Sequence, residues 1–106
     1  MTWTRIAPLT QLPSGRGMRI EVGGHRVAVF RLDAGVLAVG DRCSHAEASL
    51  SEGTVWGTNI ECPRHGAEFD LVTGRALTLP ATKPVPTYEA RVDDGVVYLD
   101  IPEETP

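Results

Sequence analysis

The chain lacks a surplus of positive charge: ten lysines and arginines stand against fourteen acids, for a net charge of −4. A nucleic-acid binder would need a basic stripe to neutralise phosphates, and this balance argues against one. No apolar run approaches the ~20 residues that a membrane helix takes. The first twenty residues show neither the apolar core of a signal peptide nor a twin-arginine pair, so the expectation is a soluble, cytoplasmic protein with no membrane contact. Aromatics are scarce at 6%, and helical spacing is nearly absent. Cysteine is scarcer still, with two residues, Cys43 and Cys62, beside three histidines, His25, His45 and His65. One disulfide is arithmetically possible, although a cytoplasmic thiol pair is more often a metal site or simply buried.

What is present is turn chemistry. Eleven glycines and eight prolines punctuate 106 residues, enough for one compact domain and no second. Met18 to Val22 and His25 to Leu32 flank Gly23-Gly24, a two-residue hairpin signal. Val36 to Val39 follows Asp33-Ala34-Gly35, and Val85 to Val92 meets Val96 to Ile101 across Asp93-Asp94-Gly95. These runs predict an all-β domain over residues 1–101, an antiparallel sandwich or barrel-like stack, with a short disordered tail at 102–106.

Two irregular segments carry the chemistry. The first is Asp41-Arg42-Cys43-Ser44-His45-Ala46, the second Glu61-Cys62-Pro63-Arg64-His65-Gly66. Cys43 and His45, two apart, leave one face of an extended loop. Cys62 and His65 are three apart and need a turn, which Pro63 at its second position favours and Gly66 completes. A hairpin around Gly57-Thr58 then carries both arms to one end. A zinc finger tends to place like donors on each arm around one ion. Here each arm offers one thiol and one imidazole, which suits a binuclear cluster with thiolates at one iron and imidazoles at the other. A mononuclear zinc site and a pair of merely buried cysteines remain the competing readings.

C-S-H-A and C-P-R-H-G, with sixteen residues between the ligand pairs, resemble a Rieske [2Fe–2S] protein, most closely the small soluble ferredoxins of bacterial oxygenase systems. The resemblance implies a Rieske-like sandwich of small stacked sheets, with a cluster-binding part at about residues 41–80. It implies one [2Fe–2S] cluster, with Cys43 and Cys62 on the buried iron and His45 and His65 on the outer one. Pro80 to Pro86 is similar to the loop that covers the cluster in this family. Two neutral imidazoles in place of thiolates leave the oxidised centre with a formal charge of about zero, so it takes an electron more readily than an all-thiolate one. High-potential members carry a serine and a tyrosine where this chain has Ala67 and Phe69, and an extra disulfide that two cysteines cannot supply. The expected potential is therefore low, near roughly −150 mV.

The family's role implies a monomeric electron carrier and no enzyme. An NAD(P)H-dependent flavoprotein reductase loads it, and a terminal non-haem iron, aromatic-ring-hydroxylating oxygenase receives the electron. Both dock transiently near His45 and His65. Alternatives are a small subunit of an assimilatory nitrite reductase, a ferredoxin associated with iron–sulfur assembly, and a structural zinc module. Outside the arms, His25 is expected to be an ordinary edge histidine and Trp56 to pack on a sheet face. Glu47, Glu52, Glu61, Glu68 and Asp70 form either a solvated rim or a docking surface.

Overall fold

Paired positive backbone angles set two of the tight hairpins. Gly23 and Gly24 adopt φ of 56° and 81° between Val22 and His25, and Asp94 and Gly95 adopt 51° and 74° between Asp93 and Val96. Both central residues of a type I′ turn need this region, and a short polar residue such as aspartate tolerates it. The computed structural model describes residues 3–33, 35–43, 48–64, 66–79 and 83–102. Its ten strands are β1 (Trp3–Pro8), β2 (Gly17–Val22), β3 (His25–Leu32), β4 (Gly35–Gly40), β5 (Thr54–Trp56), β6 (Asn59–Glu61), β7 (Glu68–Asp70), β8 (Thr87–Tyr88), β9 (Ala90–Asp93) and β10 (Val96–Asp100). They form three antiparallel sheets in the orders β1–β10–β9, β2–β3–β4–β8 and β5–β6–β7. Among the described residues there is no α-helix, and no helix is long and apolar enough to cross a membrane.

The middle sheet separates two cores. Strand alternation turns Val27 and Val29 of β3 toward Ala7, Val97 and Leu99 of the β1–β10 layer. Ala28 and Phe30 turn the other way, toward Leu50, Ile60 and Phe69. All four residues from Val27 to Phe30 are fully buried, so β3 reads as a continuous apolar run, as a strand covered on both faces must. The second core is the one that contains Cys43 and Cys62.

Two elements differ from the sequence expectation. The run from Val85 to Val92 is divided at Glu89, with β8 pairing with β4 and β9 pairing with β10 in a different sheet. The Glu89 carbonyl accepts the Asp100 amide at 2.9 Å, fixing the crossing point. The second difference is β1, an N-terminal strand that pairs with β10 from Trp3↔Asp100 to Pro8↔Val96. Of the expected tail, residues 103–106 lie outside the described residues, and Pro102 is exposed.

Candidate metal centre

The first arm leaves β4 at Gly40 and is pinned in three successive rungs. The Leu50 amide donates to the Asp41 carbonyl at 2.6 Å, Arg42 bridges Ser49, and the Cys43 amide donates to the Ala48 carbonyl at 3.0 Å. Asp41 secures the lowest rung with its side chain too. Its Oδ2 accepts the Ser49 hydroxyl, and its Oδ1 accepts the Ser51 amide at 2.9 Å.

The second arm leaves β6 in the same manner. The Cys62 amide donates to the Ala67 carbonyl at 2.7 Å, so each arm is a six-residue loop opened by a cysteine whose amide bonds the carbonyl five residues on. Pro63 and Arg64 form the expected turn, closed by the Gly66 amide on the Cys62 carbonyl at 3.1 Å, one residue wider than the four-residue turn the sequence suggested. Gly66 takes φ of 75°, which a side chain there would strain. His45 and His65 occupy the third and fourth places of their loops, and both lie outside the described residues.

Burial distinguishes the cysteines from surface thiols. Cys43 is 3% and Cys62 0% exposed, both in one apolar cluster with Leu50, Ile60, Phe69 and Val85, and neither forms a disulfide. The disulfide reading is thereby removed. Two thiols outside any disulfide, brought to one core from two matching loops, form a soft donor pair, which fits an iron–sulfur or zinc centre. Among the described residues no three His, Cys, Asp or Glu side chains converge, the two histidines being outside them.

A third segment packs against this core. The Val85 amide donates to the Gly74 carbonyl at 2.8 Å, the Gly40 amide donates to the Pro86 carbonyl at 2.8 Å, and Val85 is buried among the same apolar residues. Gly74 makes the approach feasible, because a Cβ there would lie 2.1 Å from the Val85 carbonyl oxygen. Pro80, Ala81 and Thr82, the first part of the expected covering loop, lie outside the described residues. Ala67 and Phe69 are fully buried beside the cysteines and bring no hydroxyl to them.

The surroundings correct one expectation and refine another. Trp56 does not pack into a sheet face but stands 58% exposed, its indole N–H donating to Glu61 at 3.0 Å. Glu61 and Glu68 lie directly opposite each other on β6 and β7, with Asp70 further along β7. Glu47 lies outside the described residues. His25 shares its face of β3 with Val27 and Val29, away from the cysteines, and its Nδ1 is 3.1 Å from the Tyr88 hydroxyl. Burial pushes the Tyr88 phenol above its ordinary value.

With this geometry in place, comparison with known proteins is decisive. The family profile for the Rieske [2Fe-2S] domain matches residues 2–89. The 3-phenylpropionate/cinnamic acid dioxygenase ferredoxin subunit of Escherichia coli (strain K12) is 42% identical over 100 residues, covering 93% of each chain. The ferredoxin of carbazole 1,9a-dioxygenase from Nocardioides aromaticivorans IC177 superposes with a TM-score of 0.88 at 38% identity, over 93% of this chain and 97% of that one. A complex of reduced oxygenase and oxidized ferredoxin in carbazole 1,9a-dioxygenase contains a chain that is 37% identical, with a TM-score of 0.84 over 92% of this chain and 100% of that one. The chain belongs to the Rieske [2Fe-2S] domain family. It is a ferredoxin, an electron carrier that has a [2Fe–2S] cluster as its cofactor and is not itself an enzyme.

Proposed function

We propose that Cys43 and Cys62 supply thiolates to the inner iron of this cluster and that His45 and His65 supply imidazoles to the outer one. The bound cluster supplies a reversible one-electron couple. The protein fixes the donors. Matched amide rungs hold both cysteines at loop starts, apolar packing keeps water from the sulfur end, and each histidine sits within the loop that its cysteine opens. The observation that carries this reading is the repeated cysteine-led loop, with both thiols in one core and neither in a disulfide.

The electron's destination is a terminal non-haem iron oxygenase of the aromatic-ring-hydroxylating type, a reading supported by the oxygenase complex of a related ferredoxin. Its source is an NAD(P)H-dependent flavoprotein reductase, which also makes the cytoplasm the place of action. Contact with either partner is brief, over an interface under ~1,200 Å². The test is reconstitution with candidate reductases and oxygenases from the same cell. Product formation that requires this chain together with both partners is the expected result. Full oxygenase turnover without the chain, or turnover supported equally by Cys62→Ser, contradicts it.

A further inference from the structure

Among the described residues Asp41 is the one charged side chain that is buried, at 0% exposure, and it stands two residues before Cys43. Its carboxylate accepts the Ser49 hydroxyl and the Ser51 amide, while its own amide donates to the Arg26 carbonyl at 3.0 Å. The ion partner is Arg26, whose Nη2 lies 3.5 Å from Oδ2 and whose side chain is 44% exposed. Burying a carboxylate is costly unless it is paired and hydrogen-bonded, and here the cation is half in water. Hydrogen bonding alone does not explain the choice of residue, since an asparagine could accept the Ser51 amide on its oxygen and donate its amide to the Ser49 hydroxyl oxygen, whose own proton can turn to Ser51.

We propose that Asp41 is a positioning residue that holds the first arm closed and, as a fixed negative charge beneath it, biases the bound cluster toward its oxidised state, with Arg26 opposing that bias. A buried negative charge resists the arrival of an electron nearby, and low local dielectric strengthens the effect. Arg26 acts with the opposite sign and more weakly, because water and salt screen its exposed side chain. This inference rests on the ligation proposed above, with Cys43 as a ligand.

The experiment is a redox titration of the cluster-loaded wild-type, Asp41→Asn and Arg26→Gln proteins, with the electron-paramagnetic spectrum recorded for each. Asp41→Asn should favour the reduced state about tenfold, an upward shift of about 59 mV for a one-electron couple, with an unchanged spectrum. Arg26→Gln should shift the midpoint downward by a smaller amount. Opposite signs are the signature of charge, because a purely structural role leaves both midpoints in place or moves them together. Unmoved midpoints, or shifts in one direction, overturn the proposal. If Asp41→Asn does not retain the cluster, the half-exposed Arg26→Gln carries the sign alone, and an unchanged or raised midpoint overturns it. A wild-type chain without a Rieske signal overturns the ligation instead.

Discussion

Ala67 and Phe69 show how single side chains tune this site. Both are fully buried in the cysteine-containing core, and neither can donate a hydrogen bond to sulfur. Donors to sulfur stabilise the more negative, reduced state, so their absence predicts a low potential. Ala67→Ser and Phe69→Tyr should each raise the midpoint in protein-film voltammetry, from a starting value near roughly −150 mV. A wild-type value above zero contradicts this account. The two cysteines that fold into one core were legible as a candidate pair because cysteine is rare here. The clamp by Asp41 was not, since an acid after an apolar run looks the same whether it faces water or closes a loop. His25 and Tyr88 were likewise hidden, being 63 positions apart and joined only by folding. For Tyr88, burial raises the phenol above its ordinary value of 10.0. Its neutral form therefore contributes stability that is complete below about pH 10 and is lost as pH rises through the higher folded value. Tyr88→Phe should cost about 1 kcal/mol at neutral pH through the lost hydrogen bond and flatten the fall of Tm above pH 10. An equally steep alkaline fall in the variant counts against this assignment.

At the scale of elements, close backbone approach governs how the arms are mounted. A Cβ on Gly53 would meet the Glu61 carbonyl oxygen at 2.1 Å, and one on Gly74, at φ of 78°, would meet that of Val85 at the same distance. Gly57 has φ of 63° but open space around it. Gly74→Ala should therefore lower stability by about 3 kcal/mol or more and Gly57→Ala by only ~1–2 kcal/mol. Melting curves followed by far-ultraviolet circular dichroism would separate them, and equal Tm values would contradict the packing argument. The hairpins at 23–24, 57–58 and 94–95 were readable because glycine at a positive φ is a local requirement. The break at Glu89 was not local: Val85 to Val92 is one extended run in sequence, and only its two partner strands divide it. β1 was passed over because it takes its stability from β10, at the other end of the chain.

At the scale of the whole molecule, the layers act as a mount for one end. The middle sheet buries β3 on both faces, backing the two arms with one core while β1–β10–β9 closes the other. The net charge of −4 and the opposed Glu61 and Glu68 give a field that would speed encounter with a cationic partner. Reduction by the proposed flavoprotein reductase should then slow as ionic strength rises, measured by stopped-flow absorbance, and a flat or rising rate counts against steering.

The most direct test of the central claim is pulsed electron-paramagnetic resonance on the reduced, anaerobically isolated protein carrying isotopically labelled histidine. The account predicts a [2Fe–2S] signal whose nitrogen couplings change with the label and come from two imidazoles. A colourless protein with no such signal, or a cluster signal without histidine nitrogen coupling, would contradict it.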